Sequence, residues 1–388
     1  MPDSSKPQHL PELNIVRAFC ILGVILIHAT SYATAQLVES RFFFFYNFLN
    51  IFMKFAVPTF LALSAFVLFY NYGARRVTMQ MTAAFYKRRL LFIMIPYLSF
   101  SLIYYAVSLA AAGMPVSQAS LSSFLMKLAT GKAYAHLYYI LVIAQFYLLF
   151  PFLLAAFRRF PRLKFWGIPA GLAIQWAFVL GNKYVFHLGS RGSWCLTYFA
   201  YYMLGAVLGL CYPAIRRLLL SPDDRTGTRQ ALVRVLYAVW VLWAISGTTL
   251  TMLYFYNRRD GISFASLYYE LWYCLFSLFA LPVLLHAAAC LYRSKFHFLR
   301  KMAASIGSLS FGIYLIHPFF LLLYRKYPPA AGTAWLLHLW YAGAFAAALG
   351  CSWITVSLAA RYVPRAWLLF GKLPSNGRRS RSMSAPQP

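Results

Sequence analysis

The stretch NIVRAFCILGVILIHATSYAT at residues 14–34 decides the fold, because it is an apolar run of spanning length that carries two ionisable side chains, Arg17 and His28. About 20 apolar residues in an α-helix cross a hydrocarbon core of about 30 Å. At about 100° per residue, the step from Arg17 to His28 is about three turns plus 20°, so both side chains share one face about 16 Å apart. A charged or titratable group at the centre of a spanning helix costs about 2.5–3.5 kcal/mol on insertion scales, which makes it a functional candidate. The competing reading is structural: Arg17 snorkels to the inner headgroups and His28 hydrogen-bonds a neighbouring helix.

The rest of the chain repeats the pattern. Of 388 residues 62% are hydrophobic and 11% charged, and the mean hydropathy is +0.63, far from the soluble balance of about 25% charged residues. Runs long enough to span occur near 14–34, 45–70, 90–111, 136–157, 164–181, 194–212, 231–256, 267–291, 306–324 and 334–360. The fold class is therefore all-α, a polytopic membrane bundle of about ten helices. Residues 1–13 read as a cytoplasmic N-terminus, 14–361 as the membrane domain and 362–388 as a basic, disordered cytoplasmic tail. The first run lacks the basic n-region and small-residue cleavage site of a signal peptide, so it reads as a retained span.

A net charge of +29 is compatible with nucleic-acid binding, but the basic residues sit in short segments between apolar runs and not on one polar domain. With the N-terminus inside, 25 of the 36 basic residues fall on inner segments and nine on outer ones, leaving Arg17 and Lys54 within spans. That asymmetry places both termini in the cytoplasm of a multi-pass plasma-membrane protein. The six cysteines all lie within apolar runs and form no CxxC pair, so neither a disulfide framework nor a metal site is expected.

Depth selects the side chains able to meet. His28 lies about 21 Å above the inner end of the first run, and Lys54 lies about 12 Å below the outer end of the second, at similar height. Tyr314 and His317 are one turn apart on the ninth run. Of seven acidic residues only Glu270 falls at a span, which argues against paired-carboxylate chemistry. Imidazole is the available base, with a reference pKa near 6.5. For Glu270, His317 and His136 the alternative role is interhelical hydrogen bonding. Arg75, Arg76, Lys87, Arg88 and Arg89 precede the third run and could attract a phosphorylated ligand, although inner-loop charge alone accounts for most of them. No Walker A, dinucleotide loop or G-x-S-x-G occurs.

Several segments, in order, resemble the acyltransferase-3 family of integral-membrane acyltransferases. LNIVRAFCILGVILIHA at 13–29 resembles its first-helix signature, an Arg followed after ten residues by a His. VPTFLALSAF at 57–66 is similar to the second-helix motif and includes Ser64, with Ala65 where Gly is usual. YKRRLLFIMIPY at 86–97, HLYYILVIAQFYLLFP at 136–151 (Tyr138 for the common Trp) and SLSFGIYLIHPF at 308–319 resemble later motifs. One departure stands out: many members carry R-x-x-R before the third-helix proline, and here Phe92 replaces the second Arg.

The resemblance implies transfer of an acyl group, typically acetyl, from cytoplasmic acyl-CoA to a hydroxyl of an extracytoplasmic cell-envelope glycan or lipid-linked sugar, with no resident cofactor. His28 and Arg17 are then the catalytic candidates. Lys54, Ser64, Glu270, Tyr314 and His317 are candidates for oxyanion or acceptor contacts, and Arg75, Arg76, Lys87, Arg88 and Arg89 for donor binding. The alternative class is a carrier that moves a glycan or lipid-linked sugar without chemistry. The orientation is testable directly: a cysteine introduced at Gln80 should resist an impermeant thiol reagent added outside intact cells. Labelling there would rule out the topology.

Overall fold

The computed structural model describes residues 10–115, 117, 119–220, 227–329 and 334–374. Lys6 of the expected N-terminus, Arg225 between Leu220 and Gly227, and Arg378, Arg379 and Arg381 of the expected tail lie outside the described residues. Among these residues the chain is helical without a strand. The helices are α1 Glu12–Thr30, α2 Phe43–Phe52, α3 Ala56–Tyr72, α4 Met79–Arg89, α5 Ile95–Ala111, α6 Leu121–Thr130 and α7 Tyr138–Arg159. They continue with α8 Leu163–Gly181, α9 Phe199–Leu220, α10 Gly227–Arg259, α11 Ser266–Arg293, α12 His297–Ser308, α13 Ser310–Tyr324 and α14 Ala334–Tyr362. Nine helices among the described residues are long and apolar enough to cross a membrane, and α12 with α13 makes a tenth as a bent pair.

In three spans a proline disturbs the helical hydrogen bonding beside the site. A proline lacks an N–H and leaves the carbonyl four residues earlier without its helical partner. Pro58 frees the carbonyl of Lys54, and Met53–Phe55 tightens to a 3₁₀ turn between α2 and α3. Pro96 frees that of Phe92, and Leu90–Met94 widens to a π-turn between α4 and α5. Pro318 frees that of Tyr314, and the Nδ1–H of His317 reaches it at 2.8 Å. Since a carbonyl only accepts, this bond fixes His317 with its proton on Nδ1.

Two expectations are corrected. The ninth run is not one continuous helix, because the chain bends by 81° at Leu309 between α12 and α13. The preceding helix mixes Arg300 and Lys301 with exposed Phe298 and Leu299, the composition of a helix lying along a membrane surface. At its end Gly307 sits so close to α1 that an added Cβ would fall 1.7 Å from the carbonyl oxygen of Asn14. The remaining span α13 has 15 residues, about 22 Å of helix.

The second correction concerns the acidic residues. Glu12 belongs to the first turn of α1 and is fully buried, where it accepts hydrogen bonds from Arg216 Nε at 2.6 Å and Tyr212 at 3.1 Å. Glu270 is thus not the sole acidic side chain on a span. The pair ties the start of α1 to α9, one end of the helix that carries both candidate catalytic residues.

With lipid tails as apolar as leucine, helices in a membrane adhere by close packing. In α9, Gly205 and Gly209 lie against the backbone of α3, where added Cβ atoms would fall 1.9 Å from the Ala62 oxygen and 2.4 Å from the Phe66 oxygen. Gly205→Ala should therefore destabilise the protein by about 1–3 kcal/mol through overpacking. Gly350→Ala, where a Cβ meets nothing within 4 Å, should be neutral or slightly stabilising. Thermal unfolding in detergent compares them, and equal midpoints would contradict the close approach.

Candidate active site

Two cavities lie along the shared face of α1, a lower one toward its N-terminus and an upper one toward its C-terminus. The lower, about 190 Å³, is lined by Arg17, Ser64, Arg89, Tyr139, Tyr147, Ser310 and Tyr314 together with apolar side chains. Arg17 donates to Asn14 Oδ1 at 2.7 Å. The Arg89 guanidinium lies 4.6 Å from the centroid of the Tyr147 ring, and the hydroxyls of Tyr147 and Ser64 are 3.2 Å apart. Two guanidinium groups converge here, and no carboxylate lines the cavity. Planar, permanently charged forks of this kind suit phosphate or carboxylate ligands.

Of the five basic residues considered for donor binding, only Arg89 reaches this cavity. Arg75, Arg76, Lys87 and Arg88 are exposed outside it, and Lys87 to Arg89 are helical rather than in a loop. Phe92, at the position of the absent second Arg, packs its ring 5.7 Å from that of Trp367 and does not line the cavity. The second guanidinium lining the cavity is that of Arg17, from the first-helix signature on α1.

The upper cavity is larger, about 360 Å³, and different in character. It holds His28, Lys54, His136, Gln175, the ion pair of Arg191 with Glu270, and seven tyrosines. Lys54 projects from the 3₁₀ turn, its Nζ 4.1 Å from the centroid of the Tyr254 ring. His28 and Lys54, read from sequence as lying at similar height, both line this one space. Tyr314 lines both cavities and forms a shared wall. Its hydroxyl donates to the carbonyl of His136, and its ring centroid is 5.2 Å from that of Tyr139.

The last turn of α1, which presents His28, is held from two sides. Asn50 Nδ2 donates to the Ile27 carbonyl at 2.9 Å. Arg325 Nη2 donates to the His28 carbonyl at 2.5 Å and to Ser31 Oγ at 3.1 Å, while its guanidinium lies 3.8 Å from the Tyr32 ring centroid. From sequence Arg325 is one of nine outer basic residues; in the fold it caps the helix bearing the candidate base. That contact joins residues 297 positions apart and leaves no local signal.

The candidate contacts thus separate by place. Lys54 and Glu270 line the upper cavity with His28, Ser64 lines the lower one with Arg17, and Tyr314 faces both. His317 lines neither. It is fully buried behind His28, with ring centroids 5.2 Å apart, and 5.6 Å from His136 on its other side. A direct acceptor contact for His317 is therefore not what the structure provides. His136, for which the sequence left a catalytic role and interhelical hydrogen bonding open, is part of the upper cavity wall. No group of three or more metal-ligating side chains able to hold a metal ion occurs among the described residues.

An acyltransferase-domain family, acyltransferase 3, is matched by residues 10–357, from the start of α1 to within α14. The chain belongs to this family and is a multi-pass membrane acyltransferase. No curated protein and no solved structure matches it.

Proposed function

We propose that this acyltransferase draws an acyl group, acetyl in the simplest case, from acyl-CoA in the lower cavity and delivers it to a hydroxyl of a glycan or lipid-linked sugar in the upper one. The observation that carries the reading is the pair of cavities meeting at Tyr314, with Arg17 on one side, His28 on the other, and α1 bearing both. Arg17 and Arg89 would hold anionic groups of the donor, and the pantetheine arm would bring its thioester to the shared wall. The basic asymmetry of the segments supports a lower cavity open to the cytoplasmic side of the plasma membrane, the side on which acyl-CoA is found.

In the chemical step His28 takes the proton of the acceptor hydroxyl. The hydroxyl oxygen attacks the thioester carbon, the carbon–sulfur bond breaks, and the CoA thiolate leaves and recovers the proton from the imidazolium. General base catalysis of this kind contributes about 10²–10⁴-fold.

Purified protein should release free CoA thiol from acetyl-CoA when a cell-envelope glycan fraction is added. His28→Ala, compared at equal amounts of monodisperse protein, should lower turnover by at least about 10²-fold. Arg89→Ala should raise KM for acyl-CoA by about tenfold with a smaller change in kcat, while Arg88→Ala should leave KM unaltered. A folded His28→Ala protein with near-normal transfer would eliminate this mechanism, and absence of CoA release with any acceptor would favour the carrier alternative.

A further inference from the structure

The upper cavity contains a cation that proton transfer does not use. Lys54 is held on the cavity wall by the 3₁₀ turn before Pro58, and its ammonium faces the Tyr254 ring. The Arg258 guanidinium approaches the same ring, 5.3 Å from its centroid, and donates to Asn47 Oδ1 at 3.0 Å. Two positive groups therefore flank one tyrosine.

Neither has a carboxylate partner among the described residues. Glu270, the one carboxylate lining the cavity, is taken by Arg191. Glu12 is buried with Arg216, and Glu39 and Asp260 are exposed. A ring face offsets only part of what an ammonium loses on leaving water. The 3₁₀ turn nonetheless holds Lys54 on the cavity wall beside Tyr254, and Arg258, anchored on Asn47 outside the cavity lining, meets the same ring. The missing charge is one a ligand can bring.

We propose that the acceptor is an anionic saccharide, a sugar bearing a carboxylate or a phosphate, and that Lys54, supported by Arg258, binds this group while a neighbouring hydroxyl is presented to His28. The tyrosines supply faces for the sugar ring and hydroxyls for its polar edge. This assignment rests on the upper cavity being the acceptor site.

The test is binding to the full-length protein in detergent without acyl-CoA, by calorimetry, using methyl glucuronide, glucose 1-phosphate, methyl glucoside and inorganic phosphate. At least one anionic sugar should bind about tenfold or more tightly than methyl glucoside, and the better of the two identifies carboxylate or phosphate as the group read. Inorganic phosphate should bind more weakly than the better anionic sugar, since it lacks the ring. Lys54→Gln should remove the preference and Lys54→Arg should retain most of it. If Lys54→Gln fails to fold, the preference should persist in Arg89→Ala, which removes a guanidinium from the lower cavity, and shrink with added sodium chloride; its loss in Arg89→Ala would overturn the proposal.

Equal binding of the neutral and anionic sugars, or an undiminished preference in Lys54→Gln, would overturn the proposal. The outcome is separable from that of the acyl-transfer reading. Acyl transfer confined to neutral sugars would remove only the anionic acceptor. Selective anion binding without any CoA release would remove only the transfer reaction.

Discussion

A proline within a spanning helix leaves a carbonyl without its N–H in a medium that offers no water to replace it. That constraint recurs at Pro58, Pro96 and Pro318, and each time the local answer shapes a wall of the site. The 3₁₀ turn before Pro58 projects Lys54 into the upper cavity. The π-turn before Pro96 follows directly on Arg89, the residue that enters the lower one. At Pro318 the side chain of His317 satisfies the freed carbonyl of Tyr314, the tyrosine common to both cavities. His317 thereby supports the shared wall from behind instead of facing a substrate.

The second organising feature is α1. Its start is tied through Glu12 to Arg216 and Tyr212, and its last turn through the Ile27 and His28 carbonyls to Asn50 and Arg325. A helix fixed at both ends keeps Arg17 and His28 at a constant separation. The proposed transfer between two sites about 16 Å apart along one helix needs a donor long enough to bridge them, and the extended pantetheine arm of the proposed acyl-CoA donor has that form. Fixed positions also limit reorganisation at the moment of reaction, which is where preorganised polar groups gain their effect.

Much of the scaffold was legible from hydrophobic run length, which places nine of the ten expected spans and, through helical periodicity, puts Arg17 and His28 on one face. The acyltransferase-3 resemblance of those runs agrees with the family to which the chain belongs. What run length could not show was the interruption of an apolar run. Residues 306–324 are continuous in hydropathy, yet the contact of Gly307 with α1 and the bend at Leu309 divide them. Nor could charge counting tell Arg89 from Arg88, because which of two adjacent residues faces inward depends on how α4 docks. The capping role of Arg325 and the burial of Glu12 arise from contacts across 297 and 204 positions, beyond any local pattern.

The central claim is that donor and acceptor occupy different cavities and meet at Tyr314. An experimental structure of the protein with CoA bound tests it most directly. The account predicts the phosphate groups beside Arg17 and Arg89 and the thiol at the Tyr314 wall, directed toward His28. CoA seated in the upper cavity, or bound at Arg75 and Arg88 with its thiol outside the bundle, would contradict it.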